Sequence, residues 1–261
     1  MKTLALELST SRGSLAWRDG EIEFAREWPN DRKNSAAFFE NLQVGREKFG
    51  APETIIVGLG PGSYAGTRIA ISAAIGIQVS CDARLIGYPS ICAMECDAKE
   101  YCVIGDARRK SFFFARIFEN EVIEGPTLFS EVELKEKLES LKAATQVFSS
   151  ELLPQFQRPV VSFPSALILA RLAKEAGRRF CLPPLEPFYL REPHITMRID
   201  IINVGRRDVR ALKSPLHCLS RSDTRWLRLC DMKVVGGNAV TDDLGKNRRA
   251  ALASEVEIFQ G

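Results

Sequence analysis

Histidine is nearly missing from this chain. There are two in 261 residues, His194 and His217, and neither stands at the spacing of a zinc finger or beside a cysteine pair. The seven cysteines (Cys81, Cys92, Cys96, Cys102, Cys181, Cys218 and Cys230) are odd in number and irregular in spacing, with no Cys-x-x-Cys. That pattern reads as reduced, mostly structural thiols and no metal site. No apolar run approaches the roughly 18 residues of a membrane span. The opening Met1-Lys2-Thr3-Leu4-Ala5-Leu6-Glu7 meets a carboxylate too early for a signal peptide, so a cytoplasmic protein without a membrane partner is expected. A strong charge of either sign is missing too. Residues 198–261 hold 12 Lys and Arg against 8 Asp and Glu, and the other 197 residues hold 24 against 25. The main body is therefore not a basic nucleic-acid binder, and any pull on a polyanion belongs to the tail.

What is present is ordinary for a globular protein: 45% hydrophobic and 26% charged residues, in a length that suits one large domain or two small ones. One stretch organises the rest. Thr54 to Val57 is a β-branched run that reads as a buried strand. Gly58, Gly60, Gly62 and Gly66 follow, with Pro61 among them, and the pattern then turns helical, placing Ile69, Ala73, Gly76, Ile77 and Ser80 on one face. Strand, glycine-rich turn and helix N-terminus can hold an anion. Gly60, Gly62, Ser63, Gly66 and Arg68 are the residues that would form such a loop; the competing reading is a tight connection with no ligand. The match to a dinucleotide fingerprint is loose, and there is no Gly-Lys-Ser/Thr of a P-loop.

The chain also repeats itself. Leu4 to Leu8 and Gly13 to Trp17 read as strands, Asp19-Gly20 as a hairpin turn and Glu21 to Phe24 as the return. A helix capped by Asn34 or Ser35 runs to about Lys48, and Gly50-Ala51-Pro52 ends it. After the glycine stretch come a strand, Arg84 to Gly87, and a helix opening at Pro89 to Met94. The opening then recurs: Tyr101 to Asp106, Lys110 to Phe118, a turn at Glu119-Asn120, a return at Val122-Ile123, and a second helix behind the capping box Ser130-Glu131-Val132-Glu133. Each block is a strand ending in an acid (Glu7, Asp106), a hairpin and a helix, so a unit of about 100 residues is duplicated. Short strands at Thr145 to Phe148 and Val160 to Phe163 and a helix from Ser165 to Ala176 complete it. The expected organisation is an N-terminal lobe, 1–100, a C-terminal lobe, 101–197, and an appended basic tail, 198–261, loosely specified, with a candidate strand at Ile199 to Val204.

Four stretches in this order, Leu4-Ala-Leu-Glu-Leu-Ser-Thr, Gly58-Leu-Gly-Pro-Gly-Ser-Tyr-Ala-Gly-Thr-Arg-Ile, Ile104-Gly-Asp-Ala-Arg-Arg and Phe188-Tyr-Leu-Arg-Glu-Pro, resemble the TsaB (YeaZ) family over residues 1–197. That family is the scaffold subunit of the bacterial tRNA threonylcarbamoyladenosine machinery. The resemblance implies an α/β fold of the actin, Hsp70 and sugar-kinase type (ASKHA), two related lobes facing a cleft. It implies no catalytic residue in this chain, pairing with the catalytic homologue TsaD, joined by the ATPase TsaE, contact with tRNA through the complex, and a homodimer through a similar interface. The metal site of the catalytic homologue uses His-x-x-x-His, which this chain does not have. Two departures stand: Glu7 occupies a place where the family usually has Asp, and no His lies near Asn34-Ser35.

The resemblance places the two early helices in the partner interface, through Phe39, Leu42, Ala70, Ala73, Ala74 and Ile77; close packing within the lobe is the competing reading of the small residues. Glu7 and Asp106, at matching points of the two units, either belong with the glycine loop to a nucleotide site or cap loops with hydrogen bonds. Arg68 either meets a phosphate or pairs with an acid. No tightly bound cofactor is expected, with ATP or ADP at the interface of the complex left open. Two enzyme readings remain beside the binding subunit: an ATP-dependent small-molecule kinase or ATPase of the same fold, and a nicotinamide-dependent oxidoreductase resting on the loose glycine fingerprint.

Overall fold

The structure is a computed structural model. It describes residues 1–30 and 35–190, together with two short strands further on. The chain divides into two units, Met1–Leu190 and Arg191–Gly261. The sequence readings at Asn34 and over 198–261 lie outside the described residues, apart from β12 named below.

The first unit is built from two sheets of identical plan. In the first, β1 (Lys2–Glu7), β2 (Arg12–Asp19) and β3 (Ile22–Pro29) form an antiparallel meander, and β4 (Thr54–Gly58) and β5 (Arg84–Tyr88) continue it in parallel on the other side of β1, in the order β3-β2-β1-β4-β5. In the second, β6 (Glu100–Asp106), β7 (Ser111–Phe118), β8 (Glu121–Ser130), β9 (Gln146–Ser149) and β10 (Val160–Val161) repeat the pattern, in the order β8-β7-β6-β9-β10. The doubled strand-hairpin-helix block of the sequence is thus a doubled sheet. In the second unit, β11 (Thr196–Met197) pairs antiparallel with β12 (Val256–Glu257).

Both faces of each sheet are covered, which is why the central strands are almost continuously apolar. In the first sheet Leu4, Leu6, Leu15, Trp17, Ile55 and Val57 face α1 (Ala36–Phe49) and α2 (Tyr64–Cys81). The alternate residues Ala5, Ala16, Ile56 and Ile86 face the other way, into a core shared with Tyr101, Val103, Phe113, Ala115 and Ile117 of the second sheet and with α4 (Ala166–Leu172). Ala5 and Ala16 pair across β1 and β2. Being small, they let α4 come close, and the Ala166 amide donates to Ser14 Oγ at 2.9 Å. The far face of the second sheet, Cys102, Ile104, Phe112 and Phe114, packs under α3 (Glu131–Ser140) through Leu134 and Leu138. The expected capping box opens α3: the Glu133 amide donates to Ser130 Oγ, and the Ser130 amide donates to the Glu133 carboxylate at 2.8 Å.

Several boundaries differ from the sequence reading. The first hairpin's loop is Gly20-Glu21, because Asp19 still pairs with Ile22. α2 starts at Tyr64, two residues before Gly66, with Ser63 as its cap. The helix expected from Pro89 shrinks to a 3-10 turn, Ser90–Ala93. There Met94 is drawn into a bridge with Pro164, and the carbonyls of Ile91 and Cys92 are taken by the Tyr101 hydroxyl at 3.0 Å and the Asn120 amide at 2.7 Å. The last helix ends at Leu172 because the following amides bond three residues back, Lys174 to Arg171 and Glu175 to Leu172.

Candidate functional sites

The glycine-rich turn is shaped by the chain itself. β1 and β2 are joined by Leu8 to Ser11, and this loop lies against the start of α2. A Cβ on Gly62 would stand 2.1 Å from the Ser9 carbonyl oxygen, and one on Gly66 would stand 2.1 Å from that of Leu8. The Ser63 amide donates to the Ser9 carbonyl, the Gly66 amide to Ser63 Oγ at 3.3 Å, and the Gly60 amide to Ser90 Oγ at 2.9 Å. Several of the N–H groups that an anion would need are therefore already engaged. The Phe188 amide donates to the Leu59 carbonyl at 2.7 Å, and Tyr189 packs on Tyr64 with ring centroids 5.2 Å apart. Three of the four stretches that carry the resemblance thus meet here.

Glu7 ends β1 and is fully buried beneath Gly58. Its Oε1 accepts the Ser9 amide at 2.7 Å. Its Oε2 has no hydrogen-bond partner among the described residues. Burial raises its pKa above the ordinary 4.5; the Ser9 and Ser90 hydroxyls lie close enough to oppose that in part without meeting Oε2 in hydrogen-bond geometry. A carboxyl sealed in this way reaches neither metal nor solvent. Of the two readings of Glu7, the loop cap describes its bond to the Ser9 amide, and the carboxyl is also packed against the Gly58 backbone.

Asp106 ends β6 at the equivalent corner, and this corner is open. Its Oδ1 accepts the Arg108 amide at 2.7 Å and its Oδ2 accepts the Arg108 guanidinium at 3.1 Å. Its own amide donates to Glu151 Oε1 at 2.6 Å. The acid acts as a loop cap. The loop it caps is unusual: Arg108, Arg109 and Lys110 have φ of 65°, 51° and 58°. Three consecutive non-glycine residues in the left-handed region cost roughly 1–2 kcal/mol each. Asp106, Arg108, Arg109, Lys110, Glu151 and Gln155 are among the residues that line a cavity of about 370 Å³. The glycine loop and Glu7 stand together, while Asp106 belongs to a separate cavity. The sequence reading did not single out Arg109, Lys110 or Glu151 as site residues; the run Arg108-Arg109-Lys110 at a hairpin tip was the available signal.

The acid-pairing reading of Arg68 is not met among the described residues. Its guanidinium lies over the Tyr64 ring, 5.1 Å from the centroid, and donates to the Tyr64 hydroxyl. Among the described residues it has no carboxylate at ion-pair distance. It lines a groove of about 400 Å³ with Phe39, Ile69, Ser72 and Ala73, between α1 and α2.

The expected partner residues separate into two groups. Leu42, Ala70, Ala74 and Ile77 are buried in the core under the first sheet and present no surface. The close approach of Gly66 to Leu8 turns Gly66, Thr67, Ala70, Ile71, Ala74 and Ile77 inward, so the face expected from Ile69, Ala73, Gly76 and Ser80 is rotated. Phe39 is 50% exposed and Ala73 half-buried. The solvent side of α2 carries Ser72, Ile75, Gly76 and Val79, spaced i, i+3, i+4 and i+7, and Val79 is 82% exposed.

Among the described residues no three His, Cys, Asp or Glu side chains stand close enough to hold a metal. Cys81, Cys92, Cys96, Cys102 and Cys181 are unpaired. No helix among them is long and apolar enough to cross a membrane.

No protein-family model matches the sequence, and no curated protein matches it. Solved structures do. An uncharacterized protein from Pseudomonas aeruginosa with similarity to peptidase YeaZ superposes with a TM-score of 0.58 at 20% identity, over 73% of this chain and 99% of that one. YeaZ from Pseudomonas aeruginosa superposes with a TM-score of 0.54 at 19% identity, over 66% of this chain and 90% of that one. At this identity the likeness shows the fold: the doubled α/β architecture expected from the sequence is that of the YeaZ structures.

Proposed function

We propose that this chain is a TsaB (YeaZ) type subunit that does no chemistry alone and supports the catalytic TsaD homologue in forming threonylcarbamoyladenosine next to the tRNA anticodon, with TsaE as the third component. The observation that carries the reading is the apolar, solvent-facing side of α1 and α2 on a YeaZ-type fold. Phe39, Val44, Ile75 and Val79 are all large, apolar and exposed there, beside a groove floored by Ile69 and Ala73. A monomer gains nothing from such residues, whereas a partner helix could bury them. The kinase reading is weakened because Glu7 is sealed. The nicotinamide reading is weakened because the glycines follow the fourth strand, beside an antiparallel meander, where a dinucleotide fold would place them after its first strand.

The test is co-expression with the TsaD of the source cell and affinity capture. Wild-type chain retains TsaD, and Val79→Arg loses it while melting at the wild-type temperature. No capture by the wild type, or threonylcarbamoyl transfer to tRNA by the purified chain unaided, overturns the proposal.

A further inference from the structure

The edge of the first sheet carries an inference that does not depend on pairing with TsaD. We infer that residues 178–190 form a releasable strap over the open edge of β5, latched by Arg178 to the β7–β8 turn, and that this strap opens and closes as one unit.

β5 is the last strand of the first sheet, so one side of its backbone has no neighbouring strand. A bare edge of this kind is open to pairing with another chain. The strap covers it. The Gly87 amide donates to the Cys181 carbonyl at 2.9 Å, and the Cys181 amide donates back to the Gly87 carbonyl at 3.0 Å. Leu185 then packs over the strand. A Cβ on Gly87 would stand 2.6 Å from Leu59 Cδ1 and 3.1 Å from Leu185 Cδ2, so the bare glycine is what lets the two leucines lie close. The strap ends at the glycine turn, where the Phe188 amide donates to the Leu59 carbonyl and Tyr189 rests on Tyr64.

These attachments are sparse. Among the described residues the two bonds at Gly87 and the one at Leu59 are the backbone hydrogen bonds that tie the strap down. Leu185 is its one buried residue, and it holds no helix and no strand beyond the single bridge. A segment with so little buried apolar surface opens at a free energy well below that of the sheet beneath it.

Its firmest hold is at the start. The Arg178 side chain is only 9% exposed. It donates to the Tyr88 hydroxyl at 2.8 Å and to the carbonyls of Asn120 and Glu119 at 3.2 Å each. Its guanidinium lies over the Tyr88 ring, 5.6 Å from the centroid, and Phe180 packs against the same ring at 5.4 Å. The Tyr88 hydroxyl donates in turn to the Asn120 carbonyl at 2.8 Å. Glu119 and Asn120 are the loop between β7 and β8, because Phe118 still pairs with Glu121. One side chain thus joins the end of β5 to a turn of the second sheet. A planar fork of five donors can hold these groups at once, and a compact ammonium cannot.

Hydrogen exchange of the full chain, read by mass spectrometry on peptides covering Gly87, Cys181 and Phe188, tests this. In Arg178→Gln exchange should be faster by about tenfold or more in all three peptides together, with peptides of β1 and β6 unchanged. Arg178→Lys should behave in the same way, since charge without the fork does not restore the latch. Tyr88→Phe should give the same pattern at smaller amplitude, and it carries the test if the Arg178 variants do not fold. Faster exchange at Gly87 and Cys181 with Phe188 at its wild-type rate would mean that the strap does not move as a unit. Unchanged exchange in all three, or a rise shared equally by β1 and β6, would mean that Arg178 is not its latch. Each of these results overturns the inference. Capture of TsaD plays no part in the readout, so either idea can fail without the other.

Discussion

Placing alanine at position 58 probes the packing that seals the first hairpin corner. The added Cβ would stand 1.7 Å from Glu7 Oε2 and 2.7 Å from Ser90 Oγ. Glu7 is enclosed on all sides and cannot swing out, so the strain falls on β1 or β4; overpacking of this kind costs about 2 kcal/mol. For a unit of this size that is a fall in melting temperature of about 4–8 °C. Glu7→Asp draws the carboxylate back by one carbon–carbon bond. It lengthens the Ser9 amide bond, which is 2.7 Å in the wild type, and leaves a methylene-sized void, together about 1–2 kcal/mol. In the double variant the retracted carboxylate removes the 1.7 Å clash with the new methyl, and the remaining close neighbour, Ser90 Oγ at 2.7 Å, need shift by only a few tenths of an ångström while keeping the Gly60 amide. The double variant should therefore be no less stable than Glu7→Asp alone, a coupling of about 2 kcal/mol. Urea unfolding read by the fluorescence of Trp17 and Trp28, both buried on this lobe, measures all four proteins. Additivity within about 0.5 kcal/mol would mean that Gly58 and Glu7 do not share this space, and the reasoning would be refuted.

Further expectations follow from the same geometry. The raised pKa of Glu7 means the folded state holds a proton that the unfolded state releases, so its stabilising contribution is full below about pH 4.5 and is lost as pH rises through the folded value. Glu7→Gln should remove that decline in unfolding free energy above about pH 4.5, and a decline unchanged in Glu7→Gln would assign it to another group. Ser130→Ala removes one half of the α3 capping box and should cost about 1 kcal/mol in urea unfolding; no measurable change would mean the cap is replaced by water. Ile75→Arg on the exposed side of α2 should abolish TsaD capture as Val79→Arg does, whereas Ala74→Arg should lower the melting temperature by several degrees because Ala74 is fully buried. Equal melting temperatures for Ile75→Arg and Ala74→Arg would contradict the assigned orientation of α2.

The doubled architecture was legible because its signals are local. Two strand-hairpin-helix blocks of nearly equal spacing, the Ser130–Glu133 box and the glycine turn each follow from a few neighbouring residues, and the two sheets reproduce them strand for strand. What escaped was set by distant contacts. α2 has Ile69, Ala70, Ile71, Ala73, Ala74, Ile75 and Ile77 around most of its circumference, so periodicity alone selects no face; the approach of Gly66 to Leu8 selects it. Glu7 sits on the Ala5 side of β1, where a polar residue in a half-buried strand would point to water, but here that side of the sheet is covered as well. The left-handed run at 108–110 has no glycine or asparagine to announce it, since Asp106 holds it from outside the turn.

The two matching corners show how the halves of a duplicated fold diverge. Each begins as a strand ending in a carboxylate followed by a hairpin. At the first, the glycine turn and α2 have closed over the hairpin loop: Ser9 is bonded by Ser63, and Glu7 lies under Gly58. At the second, nothing equivalent to α2 covers the loop among the described residues, and the acid turns to its own hairpin and binds Arg108 beside a cavity. Burial at one corner seats α2 on the sheet and leaves Ile75 and Val79 exposed on its outer side. A glycine substitution in the first lobe should therefore disturb the proposed partner capture through the seating of α2. Gly66→Ala, whose methyl would meet the Leu8 carbonyl oxygen at 2.1 Å, is the variant that tests it. Wild-type capture of TsaD by the folded variant would mean that the seating of α2 does not set the docking face.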